Sequence, residues 1–491
     1  MHWPIIRRCL YRPTRLALTD DARAYRRMDL IVAALHAAGE IERRSRSQTI
    51  GVLLPTGGAF AVAALGAWFL GRTVVPLNYL LKLDELGYVI RDCGCDAVIT
   101  AGPMLQFMGY RPGGASLIEL DGLDFRSVPE ARWPANPDDA DLALLLYTSG
   151  TSGRPKGVML SHGNLRANVK QVEEWVDFTE RDVVVGVLPQ FHSFGLTVLT
   201  LLPLSVGCPV HYSARFVPAR IVRKLREKRP TVLVAIPSMY HALLHVKDAR
   251  REDFATLRFV VSGGEPLPRA VFDGFLDRFG VRIHEGYGLT ETAPVANWCR
   301  PHEFRLGCVG RPLPGVIERI VDQATGRDLG PGVDGEIRIA GPNVMRGYYR
   351  LPELTEAAFD ERGFFRTGDI GRTDPDGSLY ITGRLKEMLI VGGENVFPRE
   401  IEDVIGSHPA IKDCGVVGMV DPMRGEVPVA FVELNADPES GRPVEFEPNA
   451  VLSLCRQRLA GYKVPSEVRV LPVLPRSATG KVLRRELRAL V

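Results

Sequence analysis

An α/β fold is what the chain predicts: a large N-terminal domain of α/β subdomains plus a β-rich subdomain, then a small C-terminal α+β domain. Three observations lead there. Short apolar runs alternate with longer helix-like segments, which favours largely parallel sheets. From Pro314 to Ile339 the texture changes to short β-like runs and turns. The turn signals Asp374-Pro-Asp-Gly377 and Ile381-Thr-Gly383 then set off a compact final piece. The predicted division is 1–384 and 385–491.

In chain order, Ile50–Leu54 reads as a strand and Phe60–Leu70 as a helix. The apolar stretch containing that helix ends at Gly71-Arg72 and is too short to span a bilayer. Thr73–Pro76 and Ala97–Thr100 read as strands, and Leu142–Tyr147 as a buried one. Thr231–Ile236 and Phe259–Ser262 continue the series, and Asp334–Ile339 is a strand of the β-rich part. Beyond Gly383 come a glycine-bearing loop, a helix at Glu400–Ile405, strands near Gly415–Val420 and Pro428–Leu434, and a basic tail. The first 50 residues give no clear pattern.

A chain of 491 residues has room for roughly three folding units. Its 61 basic and 58 acidic residues nearly cancel, which argues against a nucleic-acid partner. The eight cysteines form no CxxC pair, so reduced thiols and a cytoplasmic location are expected, with neither a disulfide framework nor a zinc site. The N-terminus lacks the apolar core of a signal peptide, while peripheral membrane contact stays compatible with the pattern.

The most informative segment is Tyr147–Val158, Y-T-S-G-T-S-G-R-P-K-G-V. Glycines permit close backbone approach, consecutive N–H groups form an anion nest, and hydroxyls with Arg154 and Lys156 add donors. A strand feeding such a loop is a phosphate-binding design. It is not a Walker A loop, because Lys156 follows Pro155 and precedes Gly157. Gly286-Tyr-Gly288-Leu-Thr-Glu291 is not a dinucleotide fingerprint, having Glu at the third glycine position. His241-Ala-Leu-Leu-His245 lacks the glutamate of a zincin and reads as a helix face.

Five further segments follow in order: Leu188–Gly195, Glu285–Thr292, Arg366–Asp369, Gly383–Glu387 and Pro475–Lys481. Together the six resemble the adenylate-forming superfamily, in its AMP-forming fatty acyl-CoA synthetase type, over about two thirds of the chain. The resemblance implies ATP, Mg²⁺ and CoA as cofactors, and a C-terminal domain that is mobile. It implies that Thr148, Ser149, Gly150, Thr151, Ser152, Gly153 and Lys156 embrace the β- and γ-phosphates. Glu291 resembles the metal carboxylate, with Thr148 assisting, and Thr290 the residue at the α-phosphate. Tyr287, between Gly286 and Gly288 and next to Glu285, resembles the ring along the adenine, with Gly263, Gly264 and Glu265 as the opposite wall. Asp369 resembles the ribose carboxylate, an acceptor suited to a diol, and Arg384 its companion.

By the same resemblance Lys481 bridges the substrate carboxylate and the α-phosphate, and Lys386 is the hinge. Gly392, Gly393 and Glu394 resemble the loop lining a pantetheine tunnel, with Arg399 and Lys463 near enough to meet the CoA phosphates. His192 is either the gate between the ATP and acyl pockets or a core histidine. The apolar stretch Leu188–Val210, without a charged anchor for an amino acid, favours a medium- or long-chain fatty acid. The alternatives are an acyl-[acyl-carrier-protein] synthetase, an aryl-CoA ligase and, from another class, an ATP-binding sensor without catalysis.

Overall fold

The computed structural model describes residues 1–149, 154–436, 442–476 and 482–491. The first sheet has six strands in the order Ser116–Glu119, Ala97–Thr100, Thr49–Val52, Thr73–Pro76, Leu142–Ser149 and Pro155–Ser161. All neighbours are parallel except the last pair, which runs antiparallel. Thr49–Val52, Thr73–Pro76 and Ala97–Thr100 are buried at every position. Covering both faces explains their unbroken apolar sequence.

The second sheet begins as a parallel stack: His284–Gly288, Phe259–Ser262, Val232–Ala235, Val184–Gly186, Val210–Tyr212 and Leu16–Thr19. Ala24–Arg26 adds an antiparallel edge. On the other side of His284–Gly288 the sheet continues antiparallel through Val295–Trp298, Cys308–Pro312, Leu379–Arg384, Phe365–Thr373, Gly335–Ala340 and Ile317–Val321. The expected β-rich part is therefore hydrogen-bonded onto the α/β sheet. The unpatterned N-terminus supplies helix His2–Tyr11, strands Leu16–Thr19 and Ala24–Arg26, and helix Arg27–Arg44.

Helix Gly58–Phe69 joins the layers. Eleven of its twelve residues are buried, so its apolar circumference reflects packing on all sides. Gly66 admits helix Arg27–Arg44 closely: a Cβ there would lie 2.8 Å from Ala37 Cβ and 3.0 Å from the Ala34 carbonyl oxygen. Trp68 is 1% exposed, and its Nε1–H donates to the Ala143 carbonyl at 3.0 Å. That bond ties the helix to the strand entering the glycine-rich loop. No helix among the described residues is long and apolar enough to cross a membrane.

The main core has Leu379 as its last buried member, and a separate core begins at Leu389. This second core lies under helix Pro398–Ile405, which buries Pro398, Ile401 and Ile405 along one stripe. Strands Ile411–Asp421 and Gly425–Leu434 pair antiparallel, Glu467–Val470 joins the latter in parallel, and Leu389–Val391 with Glu394–Val396 forms a hairpin.

Trp68→Ala removes a large filled volume and the bond to Ala143. Denaturant unfolding should show a loss of about 3–5 kcal/mol. A loss below about 1 kcal/mol would mean the interlayer helix repacks freely.

Candidate active site

Neighbouring parallel strands release four segments at their carboxyl ends: Leu188–Gly195 after Val184–Gly186, Ile236 after Val232–Ala235, Ser262–Glu265 after Phe259–Ser262, and Leu289–Glu291 after His284–Gly288. Such ends are where open α/β sheets bind ligands. Close approach dictates the glycines. A Cβ on Gly288 would lie 1.8 Å from the Pro294 carbonyl oxygen, and one on Gly263 would lie 3.0 Å from the Phe194 ring. Gly264 turns the chain at φ +81°. Ser193 Oγ and Thr290 Oγ1 meet at 3.3 Å across this surface. His192 precedes the short helix Ser193–Leu196, its half-buried ring 4.5 Å from that of Phe191, which in turn meets Tyr79 at 4.9 Å.

One side of the site has the groups for a nucleoside. Tyr287 donates its hydroxyl to Asp369 Oδ2 at 2.7 Å, and Arg384 Nε lies 2.9 Å from Asp369 Oδ1. Antiparallel pairing sets Asp369 opposite Arg384, and Asp369 is 2% exposed. Burial and then the Asp369 charge hold the Tyr287 hydroxyl well above its usual range, so it remains a donor. A carboxylate has about four lone-pair sites, so Asp369 keeps capacity for a vicinal diol. Glu285 is buried too, its Oε2 accepting from the Leu267 N–H at 3.4 Å. Burial pushes its carboxyl up to about 7, against the lowering effect of Arg399 from helix Pro398–Ile405.

The other side carries the charges for phosphate. Register sets Thr148 opposite Lys156 in the hairpin Leu142–Ser149/Pro155–Ser161. Gly150, Thr151, Ser152 and Gly153 lie outside the described residues. Lys156 Nζ stands 3.5 Å from Glu291 Oε1 and 3.7 Å from the centroid of the Tyr348 ring. The Tyr348 hydroxyl donates to the same Oε1 at 2.9 Å. Burial holds the Lys156 ammonium below the usual lysine range; Glu291 opposes this, and the nearby Lys386 charge reinforces it. Tyr348 has no counterpart in the sequence analysis. Its only sequence signal is a Gly-Tyr-Tyr in a stretch without strand or helix periodicity.

Magnesium ions use few protein ligands and complete their shell from phosphate oxygens and water. Glu291 Oε2 has no partner among the described residues, and Thr148 Oγ1 is buried without a hydrogen bond there. One carboxylate and one hydroxyl beside a phosphate hairpin fit an ion that arrives with a triphosphate. Among the described residues no cluster of three or more His, Cys, Asp or Glu is placed to hold a metal, so no all-protein cage is formed there.

Two groups of expected residues stand apart from this cluster. Lys481 lies outside the described residues. Gly392 and Gly393 form the two-residue turn between the paired Val391 and Glu394, with φ +61° and +89°, as such hairpins require. They and Glu394 are exposed, and nothing lies within 4 Å of a Cβ built on either glycine. Lys463, expected near CoA phosphates, pairs with Glu400 at 2.6 Å. The predicted helix face at His241–His245 is observed in helix Pro237–Leu244 and its cap, the two rings 4.6 Å apart.

A hairpin whose lysine pairs with a carboxylate, next to an aromatic ring and a second buried carboxylate, has the make-up of an enzyme that consumes a nucleoside triphosphate. Comparison with known proteins makes the class specific. The model of the AMP-binding enzyme family matches residues 11–349, and that of the AMP-binding enzyme C-terminal domain matches 400–481. The chain belongs to the AMP-binding enzyme family. Feruloyl-CoA synthase of an Amycolatopsis species is 33% identical, covering 99% of this chain and 98% of its own. A long-chain-fatty-acid–CoA ligase of Bacillus subtilis is 30% identical over 97% and 91%. ATP-bound MatB from Rhodopseudomonas palustris superposes with TM-score 0.89 at 31% identity, covering 99% and 98% of the two chains; its apo form gives 0.81.

The raised carboxyl of Glu285 makes a pH prediction. A folded-state value near 7 against 4.5 favours the protonated form, so stability falls as pH rises from about 4.5 to about 7 and levels off above it. Glu285→Gln should remove that fall. At pH 8 the variant should be more stable than wild type by on the order of 3 kcal/mol, the gain vanishing towards pH 4. Unfolding midpoints across pH test this; parallel curves for the two proteins would contradict it.

Proposed function

We propose that the protein activates a hydrophobic carboxylic acid, first a medium- or long-chain fatty acid, as its acyl-adenylate and passes the acyl group to CoA. AMP-forming acid–CoA ligation is the coarser statement that its relatives support. The observation that carries the reading is the pairing of Tyr287–Asp369–Arg384 with Lys156–Glu291, the two groups joined through strand His284–Gly288 and the turn after it, which carry Tyr287 and Glu291. The substrate carboxylate attacks the α-phosphorus and pyrophosphate leaves. The CoA thiolate then attacks the acyl carbon and AMP leaves. Tyr287 and Asp369 orient the nucleoside. Lys156 meets phosphate oxygens, and Glu291 with Thr148 would hold Mg²⁺, which supplies charge neutralisation there. Lys481 is assigned to the carboxylate and α-phosphate.

Residues 1–384 and 385–491 are assigned as two bodies that rotate at Lys386 between the half-reactions. The separate cores on either side of residues 380–388 support this, as does the higher score against the ATP-bound than the apo form of MatB. In this arrangement the Gly392-Gly393 turn is exposed, as expected if it enters the site only after rotation.

Much of the apolar run that suggested a fatty acid packs the main core: Leu196, Val198, Leu199, Leu201 and Leu202 are at most 3% exposed. Phe194, Ile236 and Met239 remain partly exposed beside the strand ends. The similarity to feruloyl-CoA synthase therefore favours a second reading, an aromatic acid.

Pyrophosphate release with dodecanoate, palmitate, ferulate and indoleacetate, each offered CoA or a holo carrier protein, tests these readings. Saturable turnover of the alkanoates with CoA is expected. Turnover of ferulate alone would establish the second reading, and turnover with carrier protein alone would replace CoA as acceptor. Lys481→Ala should lower adenylate formation by about 100-fold or more, the scale of a lost charge-stabilising donor. It should leave thioester formation from preformed acyl-AMP near wild type. Lys386→Pro, which fixes φ near −65°, should spare adenylation and slow thioester formation. Equal losses in both half-reactions would remove the corresponding assignment.

A further inference from the structure

Tyr348 touches both charged groups on the phosphate side and is 5% exposed. Its backbone is held on every side. Met345 N–H donates to the Glu291 carbonyl at 2.8 Å, Arg346 N–H to Met159 at 3.0 Å and Tyr349 N–H to Gly157 at 2.8 Å. Met159 N–H returns a bond to Gly347 at 3.0 Å, and Tyr348 pairs with Val158 in an antiparallel bridge. Thr355 Oγ1 accepts from Tyr348 N–H at 2.8 Å. Gly347 has φ +134°, and a Cβ there would lie 2.4 Å from Thr355 Cγ2. The segment is thus fastened at one end to Glu291 and at the other to the arm of the hairpin that carries Lys156.

Physical chemistry gives this placement a purpose. An ammonium and a carboxylate with nothing between them collapse into a close pair, and both charges are then spent on each other. Here the π face of Tyr348 offers the ammonium an alternative seat, and the hydroxyl fills one lone pair of Oε1. Oε2 has no partner among the described residues.

We infer that Tyr348 is a positioning residue that holds the Lys156–Glu291 ion pair loose, at 3.5 Å, so that the ammonium can turn to phosphate and the carboxylate to the metal that accompanies ATP. The inference rests on the reading of the site as an ATP·Mg²⁺ site. Two parts of one side chain do separate work: the ring seats Lys156, and the hydroxyl orients Glu291.

Calorimetric titration of ATP, without any carboxylic acid, over a range of Mg²⁺ concentrations tests it. Tyr348→Phe keeps the ring and should raise the Mg²⁺ needed for half-maximal binding by about tenfold, the scale of one hydrogen bond to a charged group. Its affinity for metal-free ATP should match wild type. Tyr348→Leu should also weaken metal-free ATP, by a similar factor. Glu291→Gln combined with Tyr348→Phe should be no worse than Glu291→Gln alone. A wild-type Mg²⁺ profile in a folded Tyr348→Phe protein overturns the assignment, as does an equal loss of metal-free affinity in the Phe and Leu variants. Wild-type protein that binds ATP independently of Mg²⁺, or not at all, overturns the site reading and this inference together.

Discussion

The site depends on holding opposite charges near one another without letting them cancel. Lys156 and Glu291 come from different sheets, and their 3.5 Å separation is set by backbone fastened to both. A tighter pair would be more stable in isolation and less available to a ligand. The same restraint operates at Asp369, which accepts from Tyr287 and faces Arg384 yet keeps lone pairs to spare. Partial satisfaction of buried charge is a standing cost in the free protein.

Architecture meets that cost by using rigid elements. The strand from Leu142 delivers the hairpin, the strand from His284 delivers Tyr287 and Glu291, and the antiparallel extension delivers Asp369 and Arg384. Because that extension is bonded to the parallel stack, the nucleoside side and the phosphate side share one framework. Helix Gly58–Phe69, anchored through Trp68, transmits the packing of one sheet to the other.

Sequence reading found what is local. Thr49–Val52, Thr73–Pro76, Ala97–Thr100 and Phe259–Ser262 are legible as apolar β-branched runs because both faces are covered. Gly263 and Gly288 entered through the family resemblance, and in the structure their missing side chains make room for the Phe194 ring and the Pro294 carbonyl. What stayed hidden depends on distance along the chain. In the first 50 residues, Leu16–Thr19 finds its parallel partner far downstream at Val210–Tyr212, and the pattern of so short a strand is faint. Tyr348 sits in irregular backbone and owes its place to Glu291 and Gly157, which no periodicity connects. Leu196–Leu202 is ambiguous in the sequence, since an apolar run reads alike whether it faces a ligand or a core.

Strand Leu16–Thr19 pairs in parallel with Val210–Tyr212, Leu18 facing Val210. During synthesis the first of these leaves the ribosome long before the second exists. This end of the large sheet is thus completed by a segment made long before its partner, for which it must wait. Long-range parallel pairing of this kind is slow and leaves an unpaired strand exposed in the meantime. The early segment is shielded by its own hairpin with Ala24–Arg26, which occupies one side of Leu16–Thr19 from the start. A nascent chain halted before residue 210 would therefore leave the far edge of Leu16–Thr19 open, a natural point of contact for a chaperone.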